Sequence, residues 1–222
     1  MIETVQRRSV EVRADGVLLR GDLRIPVEPC GIILFAHGSG SGRLSPRNQF
    51  VAERLNEHHL GTLLLDLLTE DEEQLDIRTG RLRFDIGLLT DRLSGATDWL
   101  KLDAELRGYP VGYFGASTGA AAALAASVRH PSEVQGIVSR GGRPDMAGDT
   151  LERVTAPTLL IVGGEDDVVL QLNQQAMERI HAEVHLEIVP GASHLFEEPG
   201  KLQEVSRLAA DWFTNHLCKG LA

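Results

Sequence analysis

The chain has 222 residues, 42% of them hydrophobic, and a formal net charge of −10 from 32 acidic and 22 basic side chains. The acidic balance argues against a nucleic-acid partner, because binding to the phosphate backbone requires a basic surface. No segment has the roughly 18 uninterrupted apolar residues of a membrane span, which argues against a membrane partner.

The same features indicate a compact cytoplasmic protein. The apolar content can form a sizeable core, so we expect a single domain over residues 1–222. Residues 1–8 lack the apolar core of a signal peptide, and we therefore expect a cytoplasmic location. Neither Cys30 nor Cys218 belongs to a C-x-x-C motif or lies at metal-ligand spacing from a histidine. We predict that both are reduced thiols and that the chain holds no metal and no cofactor.

The N-terminal segment has the pattern of an antiparallel hairpin. Residues 10–13 alternate at period two, residues 14–16 form a turn, and residues 17–25 return before Pro26. Beyond it, six short apolar runs alternate with segments of helical period, as expected for strands covered on both faces. These runs lie at 32–36, 62–66, 111–114, 136–139, 158–162 and 186–189.

Three apolar stripes at helical spacing fit helices packed on such a sheet. We therefore predict an α/β fold: a three-layer α/β/α sandwich with a mostly parallel, twisted eight-stranded sheet and an N-terminal antiparallel hairpin. Ser45-Pro46 is typical of a helix start. The stripes consist of Leu89, Leu93, Ala96 and Leu100; of Val169, Leu172, Ala176 and Ile180; and of Leu202, Val205, Leu208, Trp212 and Phe213.

Two segments that connect the predicted strands and helices should lie at the surface of this fold. Residues 70–83 form the one long polar connection, which we interpret as a solvated loop rather than an interaction site. Residues 138–157 have room for one short helix but not for a cap domain, so we expect an open site.

Ser117 lies in the pattern G-x-S-x-G, written GASTG, between a predicted strand and an alanine-rich helix. A sharp strand-to-helix turn of this kind needs small flanking residues and exposes the serine oxygen as a nucleophile. The alternative is that Ser117 only caps the helix.

A serine nucleophile needs a base, and His194 follows the last predicted strand in a loop containing glycine. The alternative is an exposed loop histidine. The acid should follow an earlier strand, and residues 163–167, GGEDD, offer three carboxylates. We select Asp166 because its spacing from Gly163 matches that of His194 from Gly191. Asp167 would then cap the following helix.

Backbone N–H groups are also needed to bind a developing oxyanion. We expect one from Thr118 and a second from Ser39, in the glycine-rich loop HGSGSG after the first parallel strand. A phosphate-binding loop is the alternative for these glycines, but both common nucleotide motifs are absent.

Two arginines follow the strand at 136–139. Arg140 and Arg143, with Arg43 and Arg47, should emerge at the same sheet edge as Ser117. They could bind a carboxylate on the substrate, because guanidinium groups recognise carboxylates bidentately. Pairing of Arg140 or Arg143 with nearby aspartates is the alternative.

Four motifs in this order resemble the α/β-hydrolase superfamily, and within it the dienelactone-hydrolase-related group of small enzymes without a lid. They are HGSGSG, GASTG, VGGEDDVV and GASHLFEEPG, and they cover nearly the whole chain. The resemblance implies a catalytic triad of Ser117, Asp166 and His194 with an oxyanion hole from Ser39 and Thr118. Dienelactone hydrolases have cysteine at the position of Ser117, so general ester hydrolysis fits better than lactone chemistry.

We therefore expect a serine hydrolase that cleaves carboxylic esters of small or soluble molecules. A peptidase or an acyltransferase could use the same triad. A non-catalytic binding module is the alternative from another class, since a fold does not guarantee its chemistry. No pattern specifies the oligomeric state, although a homodimer through the sheet edge or the terminal helix is compatible with the sequence.

Overall fold

The structure is a computed structural model that describes residues 5–38 and 40–218. Within these residues eight strands form one sheet in the order β1-β2-β4-β3-β5-β6-β7-β8. The strands are β1 Gln6–Ala14, β2 Val17–Ile25, β3 Gly31–Ala36, β4 Leu60–Leu65, β5 Val111–Ala116, β6 Val134–Arg140, β7 Thr158–Gly163 and β8 Val184–Val189.

The α-helices connect these strands on both faces of the sheet. They are α1 Pro46–Glu57, α2 Glu70–Thr79, α3 Ile86–Leu102, α4 Thr118–Ser127, α5 Asp167–Arg179 and α6 Lys201–Leu217. Two 3-10 segments, Leu82–Phe84 and Pro144–Arg153, complete the connections. As expected, the chain between β6 and β7 forms only the second of these segments.

The pairing of the strands confirms the predicted fold class. β1 and β2 form the antiparallel hairpin, β2 pairs antiparallel with β4, and the pairs from β4 to β8 are parallel. One hydrophobic core contains side chains from α3, α4 and α5, and a second contains side chains from α1 and α6. The sheet is therefore covered on both faces from β3 to β7, which explains the continuous apolar runs of these strands. The run at 186–189 was expected to be covered in the same way, but β8 is an edge strand with Glu187 and Ile188 exposed.

The predicted loop at residues 70–83 is wrong, because most of it is helical. Thr69 and Glu72 form a capping box at the start of α2, and Gly80 ends the helix in the left-handed conformation with φ of 63°. The charge run concealed this helix, but the Thr-x-x-Glu spacing and the glycine are its sequence signals. The helix is tied to the fold by Arg92 of α3, which donates to Glu72 at 2.8 Å.

The prediction of reduced thiols is also wrong in the structure. Cys30 and Cys218 form a disulfide with Cα atoms 4.9 Å apart. The two residues are 188 positions apart, so no local spacing could indicate the pair. They meet because the start of β3 packs against the end of α6, where a Cβ on Gly31 would lie 2.7 Å from a methyl group of Leu217.

Two features of the described residues bear on membrane and metal binding. None of the helices in residues 5–38 and 40–218 has the length and apolar character needed to cross a bilayer. Within the same ranges, histidine, cysteine, aspartate and glutamate do not gather in threes at positions suited to holding a metal ion.

Candidate active site

Ser117 occupies a strained backbone position between β5 and α4. Its φ is 50° and its ψ is −122°, a conformation that costs an L residue about 1–3 kcal/mol. The Ser117 side chain makes no capping hydrogen bond to α4. The helix-cap alternative therefore lacks its defining contact, and the hydroxyl stays at the carboxyl edge of the sheet.

Two glycines allow this turn because backbone atoms approach them closely. A Cβ on Gly119 would lie 2.0 Å from the carbonyl oxygen of Ala36, at the end of β3. A Cβ on Gly115 would lie 2.5 Å from Cα of Ala120 in α4. The small residues of GASTG are thus required by contacts with β3 and α4, as the motif predicted.

The loop after β3 lies directly against Ser117. A Cβ on Gly38 would be 2.8 Å from Cβ of Ser117 and 2.9 Å from the carbonyl oxygen of Ala116. On the other side, Thr118 begins α4, whose first N–H groups have no acceptor within the helix. Ser39, the second predicted oxyanion residue, lies outside the described residues.

His194 and Asp166 meet beyond the ends of β8 and β7. The distance from His194 Nδ1 to Asp166 Oδ2 is 2.6 Å. Asp167, the alternative acid, is exposed as the first residue of α5. The expectation that Asp167 caps this helix is wrong, because Asp166 occupies the cap position and neither side chain makes a capping bond.

The ring of His194 packs beside the backbone that holds Ser117. Gly141 has φ of 50°, and a Cβ there would lie 3.4 Å from Nδ1 of His194. The preceding carbonyl, of Arg140, accepts the Ser117 N–H at 3.4 Å. With Nδ1–H directed to Asp166, the free lone pair of the imidazole is on Nε2.

His37 is a structural residue of this site to which the sequence analysis gave no role. Its Nε2 accepts the N–H of Leu67 at 2.9 Å, so Nδ1 carries the proton and donates to the carbonyl of Gly38 at 3.1 Å. The neutral ring thus links the loop after β3 to the loop after β4. Its position after an apolar strand and before glycine was the available signal.

Burial lowers the pKa of His37, and the hydrogen bond to the Gly38 carbonyl, with the charges of Asp66 and Glu73, opposes this effect only in part. Protonation of Nε2 would also break the bond from Leu67. The unfolded chain therefore binds this proton more readily than the folded protein. The contribution of the neutral His37 ring to the free energy of unfolding should be fully present above pH 6.5 and decrease as the pH falls below it. We expect His37→Gln to reduce this loss between about pH 6.5 and 5, measured by urea unfolding.

His130, whose pKa is also lowered by burial, provides the comparison for that experiment. The contribution of His130 to the loss of unfolding free energy at low pH should remain in His37→Gln. It should disappear in the double variant that also carries His130→Gln. An unchanged pH slope in His37→Gln would show that the ring binds its proton equally readily in the folded and unfolded chain, which contradicts the prediction.

The two predicted substrate arginines differ in their contacts. Arg143 forms a bidentate pair with Asp145, at 2.9 Å from Nε and 2.8 Å from Nη2. Arg143 therefore follows the alternative given above, pairing with a nearby aspartate. Arg140 is only 7% exposed, and its Nε and Nη1 have no hydrogen-bond partner among the described residues. Burial, with the charge of Arg47, lowers the pKa of Arg140 to about 10.

A cavity of about 50 Å³ opens next to Gly38 and Thr118. Its other walls come from the loop after β4, from α2 and from α3, and they include Ile77 and Leu89. Helix α2, where a loop was predicted, thus contributes to the surroundings of Ser117.

Comparison with known proteins places this chain in a family. Residues 68–216 match the model of the dienelactone hydrolase family. A crystal structure of a dienelactone hydrolase from Anabaena variabilis is 55% identical with a TM-score of 0.94, covering 96% of this chain and 99% of that one. Est1E from Butyrivibrio proteoclasticus shares the fold at 16% identity with a TM-score of 0.79, covering 95% of this chain and 99% of that one.

Two curated relatives are described as putative phosphoribosyl transferases of Mycobacterium tuberculosis strains. Each is 54% identical over 209 residues, which are 94% of this chain and 46% of the relative. The chain thus spans about half the length of the curated relatives it matches. The match to the family model and the close likeness to the Anabaena variabilis structure together show that this chain belongs to the dienelactone hydrolase family.

Proposed function

We propose that this protein is a serine hydrolase that cleaves carboxylic esters through an acyl-enzyme on Ser117. The observation that carries the proposal is the 2.6 Å contact of His194 with Asp166, beside the strained and uncapped Ser117. Family membership and fold support hydrolysis in general. The proposed covalent intermediate rests on these three side chains, and the choice of ester follows the esterase Est1E, which shares the fold.

In the proposed reaction, Nε2 of His194 takes the hydroxyl proton of Ser117 while the serine oxygen attacks the ester carbonyl carbon. The oxyanion accepts hydrogen bonds from the N–H of Thr118 and from an N–H of the loop after β3, for which we propose Ser39. His194 then gives its proton to the leaving alcohol as the C–O bond breaks. Water then gives a proton to His194 and attacks the acyl carbon; the bond from this carbon to Oγ of Ser117 breaks, His194 returns the proton to Oγ, and the carboxylic acid is released.

Each residue has a distinct task in this sequence. Asp166 keeps the Nδ1–H tautomer and stabilises the imidazolium that forms. The N-terminus of α4, which begins beside Ser117, adds a favourable field for the oxyanion. β5 and α4 fix the backbone on the two sides of Ser117, which orients the nucleophile for attack.

Covalent labelling by a fluorophosphonate tests the proposal. We expect the native protein to be labelled and Ser117→Ala to be unlabelled, because the probe reacts only with an activated serine. Ser41→Ala is the matched control, since Ser41 lines the neighbouring cavity and should not affect labelling. Equal labelling of native protein and Ser117→Ala, or none in either, would contradict the proposal.

The leaving group and the acceptor need their own measurement. A p-nitrophenyl ester and the p-nitroanilide of the same acid separate esterase from peptidase activity. An added alcohol or amine that captures the acyl group would indicate transfer. The phosphoribosyl transferase description concerns proteins about twice as long, and the present proposal rests on residues of this chain.

A further inference from the structure

Asn173 is a polar side chain on the buried face of α5. It is fully buried and lies between Val169 and Ala176, the other two buried residues of this helix. Its Nδ2 donates to the carbonyl of Val169 at 2.7 Å and to the carbonyl of Gly142 at 3.0 Å. Its Oδ1 has no hydrogen-bond partner in the described part of the chain. The amide thus bonds α5 to residues 140–143, which we call the β6 turn.

The amide of Asn173 costs stability where an apolar side chain would not. A buried oxygen without a donor loses the hydrogen bonds that it makes with water in the unfolded chain. Leucine has a similar volume and would fill the same space without this cost. The flipped orientation of the amide is no remedy, because Oδ1 would then face the carbonyl oxygens of Val169 and Gly142. The position of Asn173 is therefore explained by the carbonyls that it binds rather than by packing.

The β6 turn contacts both the proposed nucleophile and the proposed base. The Arg140 carbonyl accepts the Ser117 N–H at 3.4 Å, and the Arg143 N–H donates to the Ser117 carbonyl at 3.0 Å. A Cβ on Gly141 would lie 3.4 Å from Nδ1 of His194 and 3.5 Å from its Cε1. The position of the turn therefore affects how Ser117 and the ring of His194 are placed relative to each other.

The β6 turn is also held by its other neighbours. The Gly141 N–H donates to the carbonyl of Ile161 in β7 at 2.8 Å. A Cβ on Gly142 would lie 2.0 Å from Oγ of Ser139, so the turn is closely packed on this side. Among the described residues, Asn173 is the one side chain that donates a hydrogen bond to the backbone of the turn. Its removal would leave the Gly142 carbonyl without this donor.

We propose that Asn173 is a positioning residue whose amide fixes the β6 turn to α5 and keeps Ser117 aligned with His194. The same helix begins directly after Asp166, so the bond also connects the turn to the element that holds the proposed acid. The inference rests on the proposed function, since it assigns a role within that site. A displacement of about 1 Å can lower a rate about 100-fold, so one bond at this turn has a large effect on turnover.

The first test compares Asn173→Leu with Asn56→Leu. Asn56 is the matched control because it is also a buried amide whose Nδ2 makes two hydrogen bonds, to the Leu60 carbonyl at 2.9 Å and to Oγ1 of Thr62 at 3.2 Å. These partners lie at the amino end of β4, whereas Ser117 follows the carboxyl end of β5. Because each variant loses two buried hydrogen bonds, we expect both to lower Tm by about 5 °C.

Hydrolysis of p-nitrophenyl acetate separates positioning from stability. The kcat of Asn173→Leu should fall about 10- to 100-fold with KM within about threefold, because the substrate still binds but the proton transfer from Ser117 is misaligned. Asn56→Leu should keep both constants within about threefold. An equal loss of kcat in the two variants, or no loss in Asn173→Leu, would overturn the proposal. If Asn173→Leu does not fold, Asn173→Ala and Asn56→Ala remove the same bonds with less bulk and carry the same expectations.

The second test does not depend on turnover. Hydrogen exchange of the Gly141 and Arg143 N–H groups reports whether the β6 turn opens, because both are bonded to neighbouring backbone. In Asn173→Leu this exchange should be at least about 10-fold faster than in Asn56→Leu, which corrects for the shared loss of stability. If the native protein cleaves no ester, the hydrolase proposal fails, and the exchange rates still decide whether Asn173 holds the turn. Equal exchange in the two variants would show that it does not.

Discussion

Asp166→Asn is expected to lower kcat about 10⁴-fold with little change in KM, the size of effect known for triad acids. The carboxylate lies 2.6 Å from Nδ1 of His194 and is mostly buried, so it determines which ring nitrogen carries the proton. An asparagine amide can donate to Nδ1 and favour the other tautomer. In that tautomer Nε2 carries a hydrogen and cannot take the proton of Ser117.

Asp167→Asn is the control for this experiment. It makes the same chemical change at the neighbouring position, but Asp167 is exposed at the start of α5. We expect its kcat to remain within about threefold of the native value, as for a surface change remote from the reacting atoms. Equal losses in both variants, measured with one p-nitrophenyl ester, would show that Asp166 is not the triad acid.

Gly119→Ala is expected to reduce the free energy of unfolding by about 3 kcal/mol or more, the upper range for an overpacked core site. The new methyl group would lie 2.0 Å from the carbonyl oxygen of Ala36 and 2.6 Å from that of His37. Both are backbone atoms, so relief would require α4 to move away from the end of β3. The same movement would displace Thr118.

Gly108→Ala is the matched control, because no described residue other than its two chain neighbours comes within 4 Å of the position of its Cβ, and its φ is not positive. We expect this variant to unfold within about 0.5 kcal/mol of the native protein. Urea unfolding followed by circular dichroism measures both changes. A Gly119→Ala protein as stable as Gly108→Ala would mean that the contact between α4 and β3 is looser than the structure shows.

The fold was predictable because its signals are local. Each buried strand is a short apolar run, and the stripe on α3 places Leu89 and Leu93 in the core. The elbow was predictable for a similar reason, since GASTG places glycine on both sides of Ser117. The missed helix α2 also had a local signal, the capping box of Thr69 and Glu72, but the high charge of the segment favoured a loop.

Partners distant in sequence were not predictable. Asp145, two residues from Arg143, was a visible partner for it, whereas nothing near Arg140 indicates that its Nε and Nη1 have no hydrogen-bond partner among the described residues. Cys30 and Cys218 meet only because β3 and α6 pack together. His37 binds the N–H of Leu67, which belongs to a loop 30 residues later.

The sequence by itself determined the α/β architecture, the strained position of Ser117 and the order of the proposed acid and base, because periodicity, glycine spacing and turn chemistry are properties of neighbouring residues. Only the tertiary structure decided that Asp166 rather than Asp167 contacts His194, and that the buried Nε and Nη1 of Arg140 have no hydrogen-bond partner in the described part of the chain. Both depend on how strands far apart in the chain align at one edge of the sheet, where a shift of a single residue turns a side chain to the opposite face.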